Sequence, residues 1–483
     1  MKIKRIEIQN FRLFNATSPF VIDNINVPNG EKEGSGLTVL VGENGCGKTS
    51  ILDAIALPLL EYKAESFSIN DFNDPTKDCA INVYSNENFE YAGTMPKAKY
   101  QGKGFNFQAK IRKRANNSYL SSSIVQDQKF IKADGENKPY DNSPDLRISV
   151  NNPFSGPRFS ENDILYLDKN RTYQIRSGTY NETRFDRLME DFNYQYIKEY
   201  KGNDIPDLNQ KLTDVKGKVS HAFLERAIEK FQSISGIPLS LSFINNWCPF
   251  QNSFFSNKKN DNILIPLSAL GAGYEVIFSL LYSFYLSEQS GKQLIVLLDE
   301  PELHLHPRLQ LEFVKFLLEA SKKMQIILAT HSPLLVKQFL NNTNLKIFIC
   351  TKNDGGSSQM TSIQSRVLPY ISANEVNYLA FQLPTEEFHN ELYGLLQSKA
   401  IDEDVNNGRE NKFDDWLQSK GLGKNKQWVK ERNGLPRVPD NVTLQVYIRN
   451  TIHHPENRSN EMYTPEEMKQ SISEMISVIK SLN

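Results

Sequence analysis

Residues 37–57 read LTVLVGENGCGKTSILDAIAL and constrain the fold of this chain more than any other stretch. Gly42-Glu43-Asn44-Gly45-Cys46-Gly47-Lys48-Thr49 satisfies G-x-x-x-x-G-K-[ST] at every fixed position. The run before it is short, apolar and β-branched, as a buried parallel strand requires. After it, Ile51, Leu52, Ile55 and Leu59 recur at helical spacing. Strand, glycine loop and helix in that order form a phosphate cradle, because backbone amides converge on the ligand where the helix N-terminus adds partial positive charge. The spacing predicts that Asn44, Gly45, Cys46, Gly47, Lys48, Thr49 and Ser50 line this cradle. Lys48 reaches the β- and γ-phosphates, and the Thr49 hydroxyl ligates Mg²⁺.

Two later segments belong with the loop. LIVLLDEPELHLHP, residues 294–307, is an apolar strand ending in Asp299-Glu300, a Walker B pattern. Such a strand aims Asp299 at the Mg²⁺ and places Glu300 to polarise an attacking water as general base. ILATHSP, residues 327–333, is a second buried strand, and it delivers His331 toward the γ-phosphate. His331 follows the acidic strand by one helix-plus-strand unit, the place for a switch histidine.

A length of 483 residues predicts two or three domains, and 39% apolar with 23% charged residues is a globular composition. A net charge of −1 leaves only local patches to attract nucleic acid. Four cysteines without metal spacing fit a reducing cytoplasm, and no apolar run suggests a signal core or a membrane span. The head is expected over 1–60 and 260–355, with an insertion of strands then helices over 61–259. Within that insertion, helices are expected over 182–201 and 207–235. Strand and helix alternate after residue 265, which predicts a parallel sheet with helices on its faces. β-signals fade after residue 373, so 373–483 is expected to be a C-terminal all-α domain.

Taken together, GENGCGKT, LLDEPELHLHP and ATHSP resemble the ABC-type ATPases of the RecF, SMC and OLD kind, grouped broadly as AAA ATPases. IKRIEIQNFRLF is similar to the opening strand of those proteins, and the resemblance covers about residues 1–350. It implies an α/β head with a mixed sheet and flanking helices, ATP and Mg²⁺ as ligands, and two heads that sandwich nucleotide. The implied assembly is a homodimer or higher homo-oligomer in which each nucleotide is completed by the other head's signature loop. Here that loop reads Leu267-Ser268-Ala269-Leu270-Gly271-Ala272-Gly273-Tyr274-Glu275, a degenerate form. Either Ser268 or Gly271 stands at the family's serine, and Gly271 and Gly273 are taken as the backbone contacts. Asp71-Phe72 and ILYLDKNR (164–171) are both candidates for the Q-loop. No coiled-coil pattern lies between Thr49 and Ser268, which narrows the resemblance to short-insert heads of anti-phage systems such as Septu, PARIS, OLD and the retron-linked ATPases.

The tail leaves two classes of function open. Arg449-Asn450-x-x-His453-His454 is similar to the R-x4-H motif of HEPN ribonucleases. In that chemistry His454 moves a proton in attack by a ribose 2′-OH and Arg449 holds the scissile phosphate. The other reading is a packing and capping cluster before Pro455. Lys420, Lys424, Lys426, Lys430, Arg432 and Arg437 surround Trp428, either as a solvated loop or as a track for DNA or tRNA with Trp428 stacking on a base. The chain is therefore either an ATPase scaffold for a separate effector nuclease or a nucleotide-gated ribonuclease itself. A RecF-type repair head leaves the tail unexplained.

Overall fold

The computed structural model describes residues 2–60, 63, 67–92, 99–114, 117–126, 129–131, 164–168, 222–236, 239–242, 254–257, 260–266, 272–290, 293–353, 355–362, 367–432 and 435–482. The chain divides into two compact units, Met1–Met360 and Thr361–Asn483.

In chain order the first unit carries β1 (Ile3–Gln9), β2 (Phe20–Ile22), β3 (Leu37–Val41), α1 (Lys48–Ala56), β4 (Cys79–Ala92), β5 (Lys99–Arg114), β6 (Asn117–Gln126), β7 (Lys129–Ile131) and β8 (Ile164–Leu167). It continues with α2 (Ala222–Ser235), β9 (Leu239–Ser242), β10 (Phe254–Asn257), β11 (Asn260–Pro266), α3 (Ala272–Ser290) and β12 (Ile295–Asp299). It then runs through α4 (Pro307–Ala320), β13 (Gln325–Thr330), α5 (Pro333–Phe339), β14 (Lys346–Lys352) and β15 (Ser358–Ser362).

The central sheet has the order β15-β14-β3-β13-β12-β8. The pairs β14–β3, β3–β13, β13–β12 and β12–β8 are parallel. Every residue of β3, β12 and β13 is buried, which accounts for their continuous apolar composition: both faces of the sheet are covered. Ile51, Leu52 and Ile55 bring one face of α1 into this core with no exposed surface, at about 1.5–3 kcal/mol for each side chain. A second, antiparallel sheet runs β2-β1-β4-β5-β6-β7, and β9–β11 form a third.

β4 and β8 both fall in the span 61–259, read from the sequence as an insertion. In the structure β4 pairs with the opening strand β1, and β8 forms the edge of the central sheet beside β12. The segment thus contributes strands to both main sheets. Of the helices expected there, 182–201 and the start of 207–235 lie outside the described residues, and α2 is the described part.

The second unit is built on α6 (Ala373–Phe381), α7 (Glu386–Glu403), α8 (Glu410–Ser419), α9 (Leu444–His453) and α10 (Pro465–Leu482). Ser372, Thr385 and Thr443 cap α6, α7 and α9 by accepting from backbone N–H groups. Phe388, Leu392, Leu396, Leu417, Ile472 and Met475 form its core. The unit also holds short strands that the all-helical expectation lacked: β16 (Lys426–Trp428), β17 (Glu431–Arg432), β18 (Leu435–Pro436) and β19 (Asp440–Val442), paired as β16–β19 and β17–β18. They are two or three residues long, too short for a period-2 pattern to show. No helix among the described residues is long and apolar enough to cross a membrane.

Candidate functional site

Parallel register assembles the site. Thr330 of β13 lies opposite Val41 of β3, and Asp299 of β12 lies opposite Ala329 of β13. The glycine loop, the acidic pair and His331 therefore emerge along one edge, the C-terminal ends of the strands, where ligands bind in open α/β sheets.

The loop's backbone dictates its glycines. Gly42 has φ 155°, and a Cβ there would lie 2.1 Å from the Cys350 carbonyl oxygen and 2.9 Å from Cys46 Sγ. Gly47 has φ 103°, and its Cβ would meet Ser358 Oγ at 2.8 Å. Neither position admits a side chain. Glu43, Asn44 and Gly45 form the exposed crest of the loop, whereas Cys46, Gly47 and Lys48 are buried beneath it. The Lys48 ammonium donates to the carbonyls of Gly42 (2.7 Å) and Glu43 (2.8 Å) and sits 3.8 Å from Cys46 Sγ. Thr49 and Ser50 follow in the first turn of α1.

Thr49 Oγ1 donates to Asp299 Oδ1 at 3.2 Å. A hydroxyl and a buried carboxylate in contact are hard oxygen donors of the kind that hold Mg²⁺ together with phosphate oxygens, so these residues fit the ion the sequence implies. Glu300 is a non-glycine residue in the left-handed region, with φ 47° and ψ 54°. That conformation costs about 1–3 kcal/mol. It is held by the Glu300 N–H donating to Ala329 O at 2.9 Å and by the Pro301–His304 turn that follows. Glu300 Oε1 lies 3.4 Å from His331 Nδ1, so the expected base and the expected switch residue are neighbours.

Sequence reasoning missed four contributors. Glu302 Oε1 accepts from Thr330 Oγ1 (2.6 Å) and from the His331 N–H (3.0 Å), which fixes the backbone that carries His331. The third acid of DEPE was the available signal. From β14 and β15, Cys350 packs beside Gly42, Lys352 brings its ammonium beside Gly45, and Ser358 Oγ donates to Cys46 O at 2.6 Å. Their role depends on strand order, which a single sequence does not display. Cys46 Sγ and the Cys350 carbonyl both pack against Gly42. The neighbouring Cys350 thiol lowers the Cys46 pKa; burial opposes this and the Lys48 ammonium reinforces it. The Cys46 thiol and full burial push Cys350 upward.

Beneath α1 lies a charge network around Asp53. Its carboxylate accepts from Arg12 Nη1 (2.6 Å), Lys63 Nζ (2.9 Å) and Tyr166 OH (2.9 Å). Burial alone would raise the Asp53 pKa, but Lys63 and Arg12 more than offset it and the value is lowered. Asp71, one Q-loop candidate, accepts from Arg12 Nε at 2.8 Å, and Phe72 beside it is buried. Of the signature loop, Gly273 is buried in the first turn of α3; Ser268 and Gly271 lie outside the described residues.

In the second unit, Arg449 and His454 diverge. Arg449 stacks over the Tyr393 ring at 5.8 Å. His454, about half exposed, approaches Glu456 Oε1 at 3.3 Å and lines a cleft of about 590 Å³ with Asn450, Lys430 and Arg437. Trp428 is only 3% exposed and packs edge-on to Tyr447, so it is a core side chain and not the exposed stacking platform entertained above. Lys420, Lys424, Lys426 and Lys430 are ion-paired with Glu403, Asp414 and Asp415, Glu467 and Asp440 respectively, which neutralises most of that basic run.

A parallel sheet that presents a glycine loop, a Thr–Asp pair and a glutamate–histidine pair along one edge defines a P-loop ATPase. The chain belongs to the AAA ATPase domain family, which it matches over residues 1–336. It is 24% identical over 349 residues to the OLD nuclease of Thermus scotoductus, covering 69% of this chain and 59% of that protein. It is 24% identical over 356 residues to the Septu protein PtuA of Bacillus mycoides, covering 70% of this chain and 39% of PtuA. The chain thus spans well under two thirds of either relative. An SMC head solved with the C-winged helix domain of ScpA aligns over 75% of this chain and 97% of its own, with 18% identity and a TM-score of 0.45.

Proposed function

We propose that this ATPase binds ATP with Mg²⁺ in the Lys48 loop, hydrolyses it through Glu300, and uses the cycle as a nucleotide-gated scaffold that controls an effector nuclease in anti-phage defence. The observation that carries the reading is the single edge holding Lys48, the Thr49–Asp299 pair and the Glu300–His331 pair. Lys48 exchanges its two loop carbonyls for phosphate oxygens. Thr49 and Asp299 hold the ion, which supplies charge neutralisation on the phosphates when bound. Glu300 takes a proton from the attacking water, and His331, positioned through Glu302, reports the γ-phosphate to the end of β13. The proposed working form is a homodimer or higher homo-oligomer in the cytoplasm, since these residues approach the nucleotide from one side. The names of the OLD nuclease and of the Septu protein support the defence context and a nuclease effector.

Lys48→Ala removes a charge-assisted contact of about 1.5–3 kcal/mol, so ATP affinity is expected to fall by about 10- to 150-fold in calorimetry. Unchanged affinity would sink the assignment of the loop.

A second reading keeps the nuclease within this chain. Its support is the half-exposed His454 in a cleft with Asn450, Lys430 and Arg437. There His454→Ala is expected to abolish cleavage of tRNA by the purified chain while ATP hydrolysis continues. Absence of RNA cleavage in the unsubstituted protein with ATP assigns the effector to another chain.

A further inference from the structure

Two lysines stand at the nucleotide edge. Lys48 lies beneath the crest of the loop and holds two of its carbonyls. The other is Lys352, the last residue of β14. A Cβ built on Gly45 would lie 3.3 Å from Lys352 Nζ and 3.9 Å from its Cε, so this ammonium rests against the crest. Lys352 is exposed, and among the described residues its ammonium makes no ion pair or hydrogen bond. Lys63, in the Asp53 network, is by contrast already taken up by a carboxylate.

We propose that Lys352 is a second phosphate-binding cation of the nucleotide site, contacting the α-phosphate end of ATP and ADP alike. This inference rests on the reading that the Lys48 loop takes ATP.

Strand order decides which end of the nucleotide it meets. β3, which leads into the loop, lies between β13 and β14. On one side β13 and β12 deliver His331, Glu300 and Asp299, the groups assigned to the γ-phosphate and its ion. β14 lies on the opposite side. A phosphate chain whose terminal group faces Glu300 therefore runs across the loop toward β14, and its α-phosphate end comes to Lys352. The charge there is the same before and after hydrolysis. A cation at that point binds substrate, transition state and product equally, so it supplies affinity and no rate.

The backbone that carries Lys352 is fixed on both sides. Parallel pairing sets Ile349 of β14 opposite Val41 of β3. One residue on, the Cys350 carbonyl packs against Gly42, where a Cβ would come within 2.1 Å of its oxygen. Just past Lys352 the chain turns back: the Asn353 N–H donates to Ser357 O at 2.9 Å, and the Ser357 N–H donates to Asn353 Oδ1 at 2.8 Å. Ser358 Oγ then donates to Cys46 O at 2.6 Å. The hairpin thus grips the loop before and after Lys352, and only the side chain can swing. A compact charge on a flexible stem suits a phosphate oxygen approached from solvent.

Calorimetry of the full chain with ATP and with ADP tests this. Lys352→Ala is expected to weaken both nucleotides by the same factor, about three- to tenfold, because solvent screens a charge-assisted contact at an exposed site. KM for ATP is expected to rise by that factor with kcat unchanged, and Lys352→Arg, which keeps the charge, is expected to restore both affinities. In the unsubstituted chain, bound ADP is expected to shield Lys352 from acetic anhydride, read at that residue by mass spectrometry. The proposal falls if Lys352→Ala binds both nucleotides as the unsubstituted chain does, or if ADP leaves acetylation of Lys352 unchanged. It falls equally if ATP alone is weakened, which would put Lys352 at the γ-phosphate. An unsubstituted chain that binds neither nucleotide overturns the Lys48 reading and this inference with it. Binding that is lost in Lys48→Ala and intact in Lys352→Ala overturns this inference alone.

Discussion

Glu300→Gln is expected to slow steady-state ATP hydrolysis by about 10²–10⁴-fold, the range of a lost general base, and to leave ATP bound. The substitution keeps the shape and the left-handed backbone but removes the carboxylate that would accept the proton from water. Its Oε1 also faces His331 at 3.4 Å, so the variant loses the anionic partner of that imidazole. Single-turnover hydrolysis and retention of ATP on a desalting column measure the two effects separately. A variant that turns over at the rate of the unsubstituted chain would show that another group takes the proton. Light scattering of the same variant with ATP checks the proposed pairing: an increase in mass is expected, and a monomer at micromolar concentration would count against it.

The second large effect concerns folding. Asp53 is 11% exposed at its side chain and gathers Arg12, Lys63 and Tyr166. Asp53→Ala leaves those groups facing one another without their anion. Breaking a fully buried pair costs about 3–5 kcal/mol; Arg12 is 35% exposed, so solvent screening reduces the expected loss to about 2–3 kcal/mol. The sign with pH follows from the lowered Asp53 pKa. Stabilisation is fully present above the ordinary carboxylate value and disappears in acid as pH falls through the lower folded value. Urea unfolding at neutral and acid pH should show a difference between the two proteins at neutral pH that closes in acid. A neutral-pH difference within about 0.5 kcal/mol would make the network a surface feature.

Much of this site was legible because it is contiguous. The GENGCGKT loop follows its strand directly and carries its glycines and Lys48 in one run, and β12 announces itself by four apolar residues ending in acid. What stayed hidden comes from strands that are distant in sequence and adjacent in space. Asp53 reads as one polar residue in an apolar helix until Arg12 and Tyr166 arrive from β1's connection and from β8. β8 is only four residues long, which offers little periodicity to read. The tail shows the reverse. Lys420 to Arg437 looks like a cationic track, yet its lysines are answered by acids as far away as Glu467. Arg449 lies within α9 whereas His454 is the non-helical residue that caps it, and they face different neighbours.

The clamp on the glycine loop also has a consequence for how the protein is made. Gly42 to Thr49 leave the ribosome before Cys350, Lys352 and Ser358, which complete their surroundings. β1 waits on late residues too, since the Ile3 N–H donates to Gln325 Oε1 at 2.7 Å. A nascent chain that has exposed the whole of GENGCGKT therefore still lacks the walls of its cradle. The walls of this cradle are complete only once β15 has left the exit tunnel.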